Sequence, residues 1–357
     1  MADQASDDSL LEASRQDENK NEQHETQEQP NSPCTKPEDV ENSEARSKTS
    51  GLSEASGATQ ENHRDFTEGE RDEDTGSSVL PRKKTQAPKE PAVIYTNIDG
   101  VAATKQFVEA IQDKLNEEEK LALRDLEEYM LTESGAWALG ATHLDLIGKV
   151  LLEDLWPVEV KLLTLRLLQA AAFKDDVILL LHQDRKDHYV MRYVSKIEDL
   201  SGEEQEELTK LLCNLCHQGS SFDWLMYISE WESESGHSSN SRATIRASVH
   251  ALLSDRPSVK EKGVSLMYNL ARKELFDDTA TELAMAVLQF LQGELSEEEA
   301  FYCLTSLLKF MYISFNEVPT LMQMLGPDVD KFGGKSERVD QLIEQIKFKL
   351  SISASAS

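Results

Sequence analysis

WPVEVKLLTLRLLQAAAF, residues 156–173, is the stretch that most constrains the fold. It reads as one helix with Pro157 at its first position, where proline's missing N–H has no helical partner to lose. At 100° per residue its apolar side chains, from Val158 through Leu168 to Ala172, leave no continuous polar face. A helix apolar nearly all round is buried among other helices. A membrane span is excluded, because Glu159, Lys161, Arg166 and Gln169 would each enter hydrocarbon at several kcal/mol for the charges. Arg166 is therefore the informative residue: a charge in such a helix must be paired or lie on a groove.

The chain has 357 residues and a formal charge of −29. Residues 1–90 hold 22 acids and 11 bases, which leaves 44 acids and 26 bases, a net −18, for the remainder. Nucleic-acid binding needs phosphate-neutralising surface, and anionic membranes need the same, so this balance argues against both. The N-terminus, MADQASDDSL, lacks the cationic start and apolar run of a secretory signal. No apolar stretch reaches the roughly 20 residues that span a bilayer. Four cysteines (Cys34, Cys213, Cys216 and Cys303) read as reduced thiols of a cytoplasmic or nuclear protein.

Residues 1–91 are rich in Glu, Asp, Ser, Gln and Asn with one aromatic, Phe66, and offer too little apolar surface to offset chain entropy. A disordered acidic tail is expected there. Within it PRKK (residues 81–84) reads either as a solvated linker or as a nuclear-import patch.

From Pro91 the composition changes. PAVIYTNIDG leads in as a short extended segment, and helical periodicity follows almost throughout. Capping boxes are expected at Asn116/Glu119, Ser201/Glu204 and Ser296/Glu299, and Pro257 opens another helix. Helices are expected near 101–115, 117–131, 140–154, 157–173, 175–183, 188–195, 202–217, 221–230, 240–253, 257–273, 279–293, 297–313, 316–325 and 336–349. Strand signals are nearly absent. Fourteen helices with short, irregular connections over residues 92–350 point to an all-α, armadillo-like helical-repeat solenoid, with residues 351–357 as a disordered end.

The acids of this region gather at helix starts and in loops, where they complement helix dipoles. The bases instead form stripes at three- and four-residue spacing: Lys210, Asn214 and His217; Arg242, Arg246 and His250; Lys262, Ser265, Asn269 and Arg272; Tyr302, Ser306 and Lys309. Each stripe reads as a solvated face, or, if successive helices present them on one side, as a wall of a basic groove that would select an acidic or carboxylate-ended peptide. Asn214 and Asn269 sit in apolar runs, LCNLC and MYNLA. Asparagine is a poor helix residue, so each either bonds another backbone across a groove or is satisfied by a neighbouring loop.

The order of these features over residues 95–350 resembles the PUL domain, the armadillo-like C-terminal module of the phospholipase A2-activating protein family. The matching run is an extended segment, a helix ending near Asn116, an acidic helix, Trp156-Pro157, and an apolar helix bearing Arg166. It continues with Lys210 four before Asn214, a second Leu-rich helix with Asn269, EVPTLMQMLG (residues 317–326), and a final helix opening on Arg338-Val339. The resemblance implies a non-enzymatic adaptor of ubiquitin-dependent protein turnover. Its basic groove would bind the C-terminal tail of valosin-containing protein, a hexameric AAA unfoldase, through Arg166, Lys210, Asn214 and Asn269. The chain differs from the family at Leu163, where an Asp is usual three before the arginine, and at Cys303 and Lys309, where an Arg and a small Gly are usual. It also lacks the family's propeller and ubiquitin-binding middle domain. A scaffold that docks a different protein on apolar surface remains the alternative.

No catalytic, metal or cofactor site is expected, and no small-molecule substrate. Cys213-Asn-Leu-Cys216-His217 has the letters of a haem-attachment motif, but its thiols fall in an apolar helical run and no second ligand pair stands at zinc-like spacing. The scattered histidines have no nucleophile elbow or phosphate loop near them.

Overall fold

The computed structural model describes residues 91–132, 139–233 and 236–356, with side chains as far as residue 353. The expected tail, 1–91, lies outside the described residues apart from Pro91. The described helices belong to one compact unit, 82–357. They form an all-α, armadillo-like solenoid: α1 (Gly100–Ile111), α2 (Glu117–Leu131), α3 (Ala141–Leu152), α4 (Val158–Ala171), α5 (Val177–Gln183), α6 (Tyr189–Ser195) and α7 (Gly202–Leu215) come first. Then follow α8 (Gly219–Leu225), a hairpin of β1 (Glu230–Ser233) and β2 (Gly236–Ser239), α9 (Asn240–Leu252), α10 (Pro257–Ala271), α11 (Asp277–Phe290), α12 (Glu297–Ile313), α13 (Glu317–Leu325) and α14 (Glu337–Ala356).

Local chemistry sets most of these boundaries. Asn116, Ser201 and Ser296 each accept a hydrogen bond from the amide three residues on, while Glu119, Glu204 and Glu299 reach back to the capping amide. Pro257 stands at the start of α10. Pro157 is the capping residue of α4 rather than its first helical one, and its carbonyl accepts from the Val160 and Lys161 amides. Asp184 caps α6 from a distance: its carboxylate accepts from the amides of Tyr189 (2.7 Å) and Val190 (3.0 Å), although burial pushes it up to about 7.

The spine of the array is a row of helices, α4, α7, α10 and α12, each packed on the next, with α1 laid against α4 at one end and α14 against α12 at the other. Leu165 of α4, Leu208 and Leu212 of α7, Leu266 and Leu270 of α10 and Leu304 and Leu307 of α12 are fully buried and belong to one continuous core. The apolar helix at 156–173 is indeed interior: Val160, Leu162, Thr164, Leu165, Leu167, Leu168, Gln169 and Ala171 are buried. At about 1.5–3 kcal/mol per large apolar side chain removed from water, this row contributes substantially to stability.

Two expectations need correction. The helix expected over 221–230 ends at Leu225, and a two-stranded antiparallel hairpin follows, pairing Glu230 with Ser239 and Ser233 with Gly236. Two strands of four residues are too short to show an alternating pattern. Their anchor is tertiary: Trp231 is buried, donates from Nε1 to Asn240 Oδ1 (3.3 Å) and stacks on His188 at 5.0 Å. Gly236 closes the turn at φ +111°, a conformation that side chains disfavour. The second correction is at the C-terminus, where α14 continues through the expected disordered end as far as Ala356. SISASA contains no breaker, and the hydroxyls of Ser351 and Ser353 are absorbed by the carbonyls of Phe348 and Lys349 within the helix.

Candidate functional site

Asn214 and Asn269 lie at the same depth on adjacent spine helices. Asn269 Nδ2 reaches the Cys213 carbonyl of α7 (3.5 Å), one residue before Asn214. Asn214 Nδ2 reaches the Gln169 carbonyl of α4 (3.4 Å), one residue before Ala170. The two offsets agree, so Ala170, Asn214 and Asn269 are equivalent positions. Four residues before them stand Arg166, Lys210 and Ser265; seven before stand Leu163, Glu207 and Lys262. One face of each helix therefore contributes to a common surface.

Across that surface lies the lead-in segment, residues 91–99, as a strap. The Val93 amide donates to Asn269 Oδ1 (2.8 Å), and Asn269 Nδ2 donates to the Val93 carbonyl (2.8 Å). Two residues on, the Tyr95 amide donates to Asn214 Oδ1 (2.7 Å), and Asn214 Nδ2 donates to the Tyr95 carbonyl (3.0 Å). Both asparagines are fully buried beneath it. Bonds at alternate residues are those an extended chain can offer to one side. The backbone each asparagine holds is thus the chain's own, and its order opposes the order of the helices.

The side chain of Tyr95 is socketed on α10. Its hydroxyl is 2.8 Å from Ser265 Oγ, and Lys262 Nζ lies 4.8 Å from the ring centroid. Burial, assisted by the Cys213 and Glu261 groups, pushes its phenol well above the usual range despite the Ser265 bond, so it stays neutral.

Beyond Tyr95 the strap turns into α1, and a cavity of about 260 Å³ opens between this turn and helices α4 and α7. Arg166, Lys210, Leu163, Gln169 and Glu207 line it from the spine; Tyr95, Asn97, Ile98, Asp99 and Gln106 line it from the strap and α1. Glu207 binds the groups together. It sits 3.4 Å from Arg166 and 3.4 Å from Lys210, and it accepts from Gln169 Nε2 at both its carboxylate (2.7 Å) and its carbonyl (2.8 Å). Lys210 also pairs with Glu206 at 2.7 Å. Burial works to lower the Lys210 ammonium, but the bond to Glu206 and the charge of Glu207 outweigh it and hold it above its ordinary value. The side-chain amide oxygen of Gln169, Oε1, is buried and has no hydrogen-bond donor among the described residues.

The structure thus brings Arg166, Lys210, Asn214 and Asn269 to one side of the spine. Arg166 finds its acid in Glu207, at the position on α7 that corresponds to Leu163 on α4. Sequence spacing could not have shown this, because the two residues are 41 apart in the chain. Ala170 was equally silent, one alanine in a run of three. Cys303 is buried in α12 and Lys309 is exposed on it. Cys213 and Cys216 are also buried, and burial raises both thiols, the second to about 12.

The stripe on α9 goes elsewhere. Arg242, Arg246 and His250 line a separate cleft of about 880 Å³ with Ile245, Val249, Leu253 and Arg256. Val249, Leu253 and Glu282 also line a neighbouring cavity of about 400 Å³ that runs past Met285 to Leu325. Arg246 is held by Glu198 through two bonds of 2.9 and 2.7 Å.

No family model, no curated protein and no solved structure matches this chain.

Proposed function

We propose that the chain is a non-enzymatic, peptide-binding adaptor that receives an acidic or carboxylate-ended peptide where Arg166 and Lys210 meet. The observation that carries this reading is the cavity itself. Two cations at equivalent depth on adjacent helices open on a single space and are bridged there by Glu207, whose pair with Arg166 is 3.4 Å long and leaves the arginine side chain 45% exposed, while Lys210 also pairs with Glu206. An incoming carboxylate can take the bidentate position that Glu207 leaves unfilled. The resemblance set out above extends the proposal to a partner: the C-terminal tail of valosin-containing protein, and with it a cytoplasmic role in ubiquitin-dependent turnover. Calorimetric titration of the full chain with that tail peptide should give micromolar binding that Arg166→Ala plus Lys210→Ala abolishes. Absence of heat, or undiminished affinity in the double variant, would overturn the reading.

The cleft beside α9 favours a second reading, a scaffold that docks a protein on the apolar floor running from Ile245 and Val249 to Met285 and Leu325. Salt separates the two. Binding at the Arg166 cavity should weaken steeply with ionic strength, whereas docking on apolar surface should not.

A further inference from the structure

The asparagines on α7 and α10 read main chain and nothing else. Each takes both the N–H and the carbonyl of one strap residue, at two positions two residues apart. That recognition depends on backbone conformation, so it is open to any extended segment with a free N–H at both rungs. Proline is excluded at either rung, because each N–H is a donor there. Side-chain selection comes from one socket, formed by Ser265 and Lys262 around the Tyr95 ring.

The strap is also the least buried part of the surface it covers. None of residues 91–100 is fully buried, while Asn214 and Asn269 beneath them are. Its four rung bonds all end on side chains of the spine rather than on a neighbouring backbone. Lifting it would transfer the part-buried residues 92–95 and Ile98 to water, Tyr95 leaving its place against the core, but would leave the fully buried leucines packed on one another, so the opening costs less than unfolding the array.

We propose that residues 91–99 are an exchangeable occupant of a two-rung amide receptor, and that Asn214 and Asn269 accept in their place an extended partner segment with an aromatic residue at the Tyr95 rung. This rests on reading this side of the spine as a peptide-binding site, but not on the identity of the tail that enters the Arg166 cavity. The tethered strap competes at an effective concentration on the order of millimolar, so a partner gains access when the strap is weakened or when its own segment is also tethered nearby.

The test uses the full-length chain and a fluorescein-labelled peptide of the strap's own sequence, PAVIYTNIDG. Tyr95→Ala weakens the resident strap at its socket. The labelled peptide should bind this variant at least tenfold more tightly than it binds the wild type. Adding Asn214→Ala and Asn269→Ala should remove the binding, and a peptide with alanine in place of its tyrosine should bind at least tenfold more weakly. No binding to a folded Tyr95→Ala chain, or equal binding once both rungs are gone, would overturn the proposal. Hydrogen exchange on the unmodified chain gives an independent arm. The Val93 and Tyr95 amides should exchange at least a hundredfold faster than those of Leu266 and Leu270; equal protection would make the strap a permanent part of the fold and overturn exchange. Failure of the unfoldase-tail titration with retained strap-peptide binding would sink only the tail assignment.

Discussion

Helices α4 and α7 present the same face to the same surface and differ where it matters most. On α7 the position beneath the strap is Asn214, and the strap lies on it. On α4 it is Ala170, and the strap leaves. The physical reason is space. A Cβ added to Gly100, at the start of α1, would come within 2.7 Å of the Ala170 Cβ, so the chain turns into α1 at van der Waals contact with that methyl. An amide there would fill the volume α1 needs. Conversely, alanine at 214 would leave the Tyr95 backbone without its partner. The two helices thus show how one repeated face becomes either a receptor or a docking point through one residue.

The comparison can be broken most severely by Ala170→Asn. The added amide must displace α1, and we expect a loss of about 1–3 kcal/mol, read as a lower midpoint in denaturant, with the amides of α1 losing exchange protection. Unchanged stability would mean the helices are not distinguished by space. Asn214→Ala should cost about 1–2 kcal/mol, since it removes two bonds to Tyr95 and one to the Gln169 carbonyl; the Tyr95 amide should lose its protection while the core keeps its own. Asn269→Ala, at the outer rung, should cost about 1 kcal/mol and release Val93 before Tyr95. Arg166→Ala should change stability by less than about 1 kcal/mol, because the arginine side chain is about half exposed and Glu207 keeps Lys210 and Gln169 as partners, while removing most of the affinity for an acidic peptide. The smallest effect should come from acid. Burial would raise the Glu206 carboxyl, but bonds from Lys210 and Ser258 and the nearby ammonium charges hold it below its ordinary value. Its pair with Lys210 is therefore fully present above the ordinary glutamate range and is lost only as pH falls through the depressed value. Melting temperatures of wild type and Glu206→Gln should converge below that point and differ above it.

Much of the architecture could be read from the residues because it is written locally. Asn116, Ser201 and Ser296 announce helix starts that the structure keeps, and α12 matches its expected span to the residue. The hairpin at 230–239 could not be read so, since its stability lies in Trp231 meeting His188 and Asn240 rather than in a strand pattern. The site divides in the same way. Arg166 was conspicuous as a charge in an apolar helix, and Asn214 and Asn269 as amides in apolar runs. Glu207, Gln169 and the rung residues Val93 and Tyr95 carried no signal, because each acquires its role from a partner 38 to 176 residues away.

By itself the sequence determined that residues beyond the acidic tail form helices, which of them is interior, and which polar residues inside them needed an explanation. Those outcomes follow from periodicity, caps and the cost of an unpaired charge, all of which act within a few turns. Only the tertiary structure decided that the asparagines hold the chain's own residues 93 and 95, that Arg166 is answered from the next helix, and that Ala170 marks where the strap departs. These depend on register between helices, which is set by packing across the whole array and has no counterpart in local spacing.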